Sequence, residues 1–168
     1  YPTESARQAK ALESAGVDMI WIPEAYGFDA VSLLGYLAAE TETVGLGSGI
    51  LNTYSRTPAA LAQTAASLDS LSGGRFTLGL GASGPQVIEG FHGIPYSMPL
   101  TRLREVMEIC RMAWKREPLT YNGKVFDLPL PAERGTGLGK PLKIINHMYR
   151  EDIHCLLYTS PSPRAATL

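Results

Sequence analysis

"RFTLGLGASGPQ", residues 75–86, decides the fold. Within it, Gly79-Leu80-Gly81-Ala82-Ser83-Gly84 satisfies G-x-G-x-x-G, the spacing of a dinucleotide-binding Rossmann turn. Such a turn opens directly into a helix whose N-terminus faces the pyrophosphate. Here Gly84 is followed by Pro85-Gln86 and then "VIEGFHGIPYSMP", where Gly90, Gly93, Pro95 and Pro99 leave room for only one or two helical turns. An acidic residue should also follow about 20 positions on, at a strand end. The nearest, Glu105 and Glu108, fall within a helical stretch, where Arg102 and Arg111 are their expected partners. The spacing matches a Rossmann turn; the context does not.

The flanking sequence supplies a different frame. "VDMIWIPE" (17–24) and "TVGLGSGI" (43–50) read as buried strands, and "RFTLGLG" (75–81) as a third. Helical spacing of Ala6, Ala9 and Leu12 precedes the first, closed by Gly16. Asp29 caps a helix carrying Leu33, Leu34, Leu37 and Ala38. Thr57 and Pro58 form an N-cap and first-turn pair for a helix that turns Leu61, Ala65, Leu68 and Leu71 inward and stops at Gly73-Gly74. A later helix, from about Pro99 to Lys115, bears Leu103, Val106, Cys110 and Trp114. "LTYNGKVFDL" (119–128) reads as a hairpin about Asn122-Gly123, a type I′ turn pair. Trp21 and Trp114 are expected in the core, and Cys110 as packing rather than nucleophile.

Repeated βα units with near-continuous apolar strands make a parallel sheet covered by helices. "VGLGSG" (44–49) is echoed by "LGLGASG" (78–84), one βα repeat later. Gly-rich turns at successive strands suit a (β/α)8 TIM barrel, because a Rossmann fingerprint belongs to one special turn. Three strands precede the hairpin, so the chain holds about the first half only.

Composition narrows function. The 168 residues are 45% hydrophobic and 18% charged, with formal net charge −1 and no basic run, which argues against a nucleic-acid partner. No apolar stretch approaches the roughly 20 residues that span a membrane. Two cysteines build no disulfide framework, so a cytoplasmic setting is expected. Residues 155–164, "CLLYTSPSPR", break from what precedes them. The run resembles the codon-by-codon translation of an adapter used in transposase-based sequencing libraries; a natural Ser/Pro tail is the alternative. The expected division is a partial barrel over 1–153 and a non-native read-through tail over 154–168, with His154 at the boundary.

The stretches "GVDMIWIPEAYGFDA", "VGLGSGILNTYSRTPAALAQTAASLDSLSGGRFTLGLGASGPQVIEGFHG", "TRLREVMEI" and "GKPLKIINH" resemble the luciferase-like monooxygenases. The likeness is strongest to their branch of oxidoreductases that use the deazaflavin coenzyme F-420, and it spans residues 3–153. It implies a TIM barrel of the bacterial luciferase-like type, with the cofactor at the C-terminal ends of the strands. It further implies hydride transfer between coenzyme F-420 and a small organic substrate. An FMN-dependent monooxygenase using molecular oxygen, and a non-catalytic flavin-binding barrel, are the alternatives. The full-length parent is expected to be the enzyme, open to homo-oligomerisation, and this fragment inactive.

By the same resemblance, Glu24 and Ala25, with Tyr26, lie beside the cofactor ring after the first strand. Gly49–Ile50 matches a non-prolyl cis peptide behind the ring, with Asn52 just beyond. Gly81, Ala82, Ser83, Gly84 and Gln86 bring backbone close to the cofactor after the third strand. Where some deazaflavin enzymes carry an acid in that loop, this chain has Ser83, Gly84 and Pro85, so no general acid is visible there. Glu24, Glu89 and His92 are the acid–base candidates. Each position also has a plain reading. Glu24 could be an ion-paired strand end, Asn52 and Thr53 loop caps, Ser83 and Gln86 turn formers, Glu89 and His92 a solvent-facing pair, and His147 simply loop.

Overall fold

A computed structural model describes residues 2–158. Helix α1 (Pro2–Ser14) leads into β1 (Met19–Ile22), and α2 (Ala30–Glu40) into β2 (Gly45–Ser48) and β3 (Leu51–Asn52). Helix α3 (Pro58–Leu71) precedes β4 (Phe76–Gly81); the short α4 (Pro85–Gly90) and the long α5 (Pro99–Trp114) follow. A small hairpin, β5 (Tyr121–Asn122) and β6 (Asp127–Leu128), comes next, and β7 (Cys155–Tyr158) ends the described chain. The capping signals act where the sequence puts them. Asp29 accepts from the Ser32 N–H at 2.8 Å and Thr57 from the Ala60 N–H at 3.2 Å. Gly16, Gly73 and Gly74 have φ of +81°, +64° and +83°, a region that only glycine enters cheaply.

β1 pairs with β2, β2 and β3 both with β4, and β4 with β7, every pair parallel. Neighbours in the sheet are therefore neighbours in the chain, as in a barrel wall; a Rossmann sheet reverses direction about its first strand. The strand expected at 43–50 is divided into β2 and β3 by a break at Gly49–Ile50. β7 takes the next position along the wall, with Leu78 opposite Cys155 and Gly81 opposite Tyr158. "CLLY" is a short apolar run, which suffices to continue the β4 edge.

Leu46, Phe76, Leu78 and Leu80 point to the helix side and join Leu34, Leu37, Leu61, Ala65, Val106 and Trp114 in one core. Cys110 is fully buried there, and burial pushes its thiol up to about 12, so it packs and does not react. Two long polar reaches hold the end of the sheet opposite the candidate site. The Glu13 carboxylate accepts the N–H groups of Glu42, Thr43 and Val44 at 3.0, 2.6 and 2.8 Å. The Arg75 guanidinium donates to the carbonyls of Ala38, Thr41 and Val44 and to that of Ser72. The buried Asp69 of α3 is paired with Arg150, which also donates to the Phe76 carbonyl at the start of β4.

Several sequence expectations are corrected. Trp21 is 41% exposed, because it leans over Gly47 of β2 on the face away from the helices. Leu71 is 63% exposed and Leu12 44%, both in the last turn of their helices. The hairpin is not a type I′ turn: Asn122 and Gly123 have no positive φ, and residues 123–126 form the loop. Its amides at Lys124, Val125 and Phe126 all donate to the buried Glu105 carboxylate, at 2.7, 3.0 and 3.0 Å. A Cβ at residue 123 would run into Glu105 Oε2, which explains this glycine without a turn type. Glu105 is therefore not Arg102's partner, and Glu108 bonds Tyr121 and Arg104 rather than Arg111.

Candidate functional site

The candidate residues gather at the C-terminal ends of β1, β3 and β4. The three strands run parallel, so their ends fall on one rim. Glu24 lies two residues past β1. Arg56 Nη1 donates to its Oε2 at 2.6 Å and Nη2 to its Oε1 at 2.8 Å, while the Ala30 N–H reaches Oε1 at 3.1 Å. The Glu24 side chain is 8% exposed and that of Arg56 21%. This forked pair is the charge-assisted geometry that fixes both partners, and Glu24 holds the Arg56 guanidinium above its ordinary value. Of the two readings of Glu24, the ion-paired strand end is the one its contacts fit. Ala25 and Tyr26, next along, are exposed.

The Gly49–Ile50 peptide is cis, at the bond expected from the sequence. The Gly49 N–H donates to the Ile22 carbonyl at 2.8 Å, tying the break to β1. Ile50 is half-buried against β4: a Cβ at Gly81 would lie 3.0 Å from Ile50 Cγ1 and 3.1 Å from Cδ1. Asn52 is buried, and its Oδ1 accepts from the N–H groups of Tyr54 at 3.0 Å and Ser55 at 2.7 Å. Asn52 thus folds its own loop, the plain reading of that side chain. The Thr53 N–H donates to the Gly81 carbonyl at 3.0 Å.

The glycines of "GLGASG" divide into two roles. A Cβ at Gly79 would lie 1.8 Å from the Ser48 carbonyl oxygen, so this glycine lets β4 meet the backbone of β2. The Ser48 hydroxyl seals the contact by donating to the Gly79 carbonyl and accepting its N–H, each at 2.8 Å. Gly81 makes room for Ile50. Beyond it Ala82 and Gly84 are half-buried, Ser83 has φ +56°, and Gln86 is exposed on the one-and-a-half turns of α4.

On the next segment, Glu89 is exposed and its Oε1 accepts the Tyr96 N–H at 3.0 Å. His92 is half-buried and meets the Phe91 ring edge-on; its buried Nε2 has no hydrogen-bond partner among the described residues. Ile50, Asn52 and Gly81 are therefore contiguous. Glu24 is joined to them through Arg56, whereas Glu89 and His92 engage Tyr96 and Phe91 of their own segment. His147 lies elsewhere, 3.2 Å from Arg116 Nη1. Four side chains at the rim have no sequence signal of their own: Arg56, Tyr54, Tyr96 and Arg102. Tyr54 and Tyr96 stack at 5.3 Å between centroids, and Arg102 Cζ lies 4.3 Å from the Tyr54 centroid. Burial raises the Tyr54 phenol, with Arg102 opposing. Among the described residues, no group of three or more His, Cys, Asp and Glu could hold a metal ion. No helix there is long and apolar enough to cross a membrane.

Comparison with known proteins places this geometry. A coenzyme F-420-dependent oxidoreductase assignment belongs to a Mycobacterium tuberculosis protein that is 46% identical over 157 residues, covering 93% of this chain and 45% of that protein. The structure of the coenzyme F-420-dependent tetrahydromethanopterin reductase of Methanopyrus kandleri superposes with a TM-score of 0.79 at 26% identity, over 94% of this chain and 46% of that one. The oxygenating constituent of 3,6-diketocamphane monooxygenase from Pseudomonas putida, solved with FMN, gives 0.75 at 25% identity, over 98% and 49%. The chain thus spans about half the length of the relatives it matches. The family model for luciferase-like monooxygenases matches residues 1–144, and with the parallel wall and strand-end rim above, the chain belongs to that family as about half of its TIM barrel.

Proposed function

We propose that the full-length parent is an oxidoreductase that transfers a hydride between coenzyme F-420 and a small organic substrate. The observation that carries this is the rim at β3 and β4, where Ile50 is seated against Gly81 beside glycines at 47 and 49. These glycines let the Trp21 indole lie across residue 47 and Ile50 lie against residue 81, an apolar surface that we read as the seat of a flat ring. Glu24, Ala25, Gly49, Ile50 and Asn52 would border the ring, and Gly81, Ala82, Ser83, Gly84 and Gln86 the side approached by backbone. When bound, a deazaflavin supplies the hydride acceptor or donor and leaves geometry to the protein.

The chain's own residues set that geometry. Ile50 gives an apolar backing. The Glu24–Arg56 pair holds the loop after β3 against the loop after β1 and is already committed, so Glu24 positions and does not move a proton. Proton handling falls to Glu89 or His92, and the unpartnered Nε2 favours His92. The likeness to an FMN-bound monooxygenase supports a second reading, oxygen chemistry on FMN.

Titrating the full-length protein with coenzyme F-420 and with FMN, then following oxygen uptake, separates the two. Deazaflavin binding with hydride transfer and no uptake is expected. FMN binding with uptake overturns the first reading, and cofactor binding without turnover on a broad substrate panel overturns both. We further propose that the 168-residue chain is inactive by itself and that residues 154–168 are a non-native read-through tail, of which Cys155–Tyr158 pairs with β4 as β7. Resequencing the source locus tests the latter; a native stop codon after Leu168 would refute it.

A further inference from the structure

Residues 84–97 leave the rim and return to it between two non-glycine residues in the left-handed region, Ser83 at φ +56° and Met98 at φ +45°. Such conformations persist only where surroundings over-determine them. The segment is anchored below by the fully buried Ile88, whose carbonyl accepts the Ile94 N–H at 3.1 Å. Its other fixings converge on one ring. The Tyr96 hydroxyl donates back to the Ser83 carbonyl at 3.2 Å, and its N–H donates to Glu89. The Tyr96 ring stacks on Tyr54 with 24° between planes, and the Tyr54 hydroxyl donates to the Ser97 carbonyl at 2.8 Å.

Tyr54 belongs to the loop that Asn52 folds, since its N–H is one of the two that Asn52 Oδ1 accepts. Arg102, at the start of α5, steadies the stack. Its guanidinium lies over Tyr54 and also 4.9 Å from the Phe126 centroid, and its buried Nε has no hydrogen-bond partner among the described residues. The guanidinium is held by cation–aromatic contact together with an Nη1 hydrogen bond to the Thr53 carbonyl at 3.5 Å. A continuous path runs from the strap through Tyr96 and Tyr54 to Asn52, two residues from Ile50.

We propose that residues 84–97 are a strap whose Tyr96 latch is a positioning residue. By stacking on Tyr54 it sets the Ile50–Ser55 loop, so that strap closure and cofactor affinity are coupled. The second half of this statement rests on the ring-facing role given to that loop above.

Hydrogen exchange on the full-length protein, before any cofactor is added, tests the coupling. Tyr96→Ala should speed exchange at the Tyr54 and Ser55 amides about tenfold, the size of a lost stacked aromatic pair. Tyr96→Phe, which keeps the ring, should change it by less than about twofold. The Thr41 and Gly45 amides, bonded to Leu37 and Asp18, are the controls and should not move. Unchanged exchange at Tyr54 and Ser55, or equal acceleration at the controls, overturns the latch. If Tyr96→Ala does not fold, Tyr96→Leu serves in its place. In the full-length protein, Tyr96→Ala should weaken coenzyme F-420 binding about tenfold, and bound coenzyme should slow exchange at the Tyr96 amide, as reciprocity demands. Affinity equal to wild type in Tyr96→Ala overturns the coupling. Failure of the wild-type protein to bind deazaflavin or FMN would instead sink the cofactor reading, and the exchange result would still decide the latch.

Discussion

The runs at 44–49 and 78–84 spell nearly the same pattern, yet their glycines face different neighbours. In the first, Gly47 makes room for a side chain and Gly45 for both the Met19 side chain and the Asp18 carbonyl. A Cβ at 45 would meet Met19 Sδ at 2.7 Å, and one at 47 would run into the Trp21 ring. In the second, Gly79 makes room for backbone, because a methyl group there would stand 1.8 Å from the Ser48 carbonyl oxygen. A side chain can rotate; a strand backbone locked in a parallel ladder cannot. The second run is therefore the one on which the sheet depends, and Gly79→Ala is the substitution that breaks the comparison most sharply. It should cost more than about 3 kcal/mol, beyond the usual range of overpacking, because β2 and β4 must part. Chemical denaturation would show this as loss of the cooperative transition; a midpoint equal to wild type would refute the assignment.

The first run should tolerate the same change. Gly47→Ala pushes on an indole that is 41% exposed and can swing outward. A cost of about 1 kcal/mol is expected. Trp114 is buried and serves as the fixed reference, so the change in emission should come from Trp21, shifting to the red as it gains water. A loss of stability as large as that of Gly79→Ala would erase the distinction between the runs.

How much of this was legible depended on whether a residue's role was local or distant. The helix caps at Asp29 and Thr57 and the glycine stops at 16 and 73–74 involve neighbours within a few positions, and pattern alone located them. The rejection of a Rossmann turn also rested on local facts, namely the short α4 and the repeat of a Gly-rich strand end. The barrel class followed from the repeated Gly-rich strand ends and was strengthened by family likeness, whereas the break at Gly49–Ile50 came from the likeness alone. Neither the Gly79–Ser48 contact nor the Glu24–Arg56 fork has a sequence signature, because each joins residues about thirty apart whose meeting depends on strand register. Asn122-Gly123 misled for a related reason. The dipeptide favours a tight turn, but the distant Glu105 carboxylate gathers three amides and imposes a longer loop. Arg102 shows the same override, exchanging a helix-face carboxylate for two aromatic rings.

The two runs also differ in what holds their beginnings, and acid should tell them apart with the smallest effect. Arg75 ties the start of the second to the start of the first, its guanidinium donating to the Thr41 and Val44 carbonyls. The start of the first is also held by Glu13, which the amides of Val44 and Thr43 lower from 4.5 to about 2. A carboxylate lowered in the folded state stabilises it fully above its unfolded value near 4.5, and that contribution disappears as pH falls toward about 2. The Val44 amide should therefore lose protection between those limits before the amides of β4 do. Glu13→Gln removes the titrating charge, so the stability difference between wild type and Glu13→Gln should be greatest near neutrality and shrink through that window. Parallel acid-denaturation curves, offset by a constant amount, would show that the amide cluster around Glu13 does not bias the carboxylate and that the two beginnings are held alike.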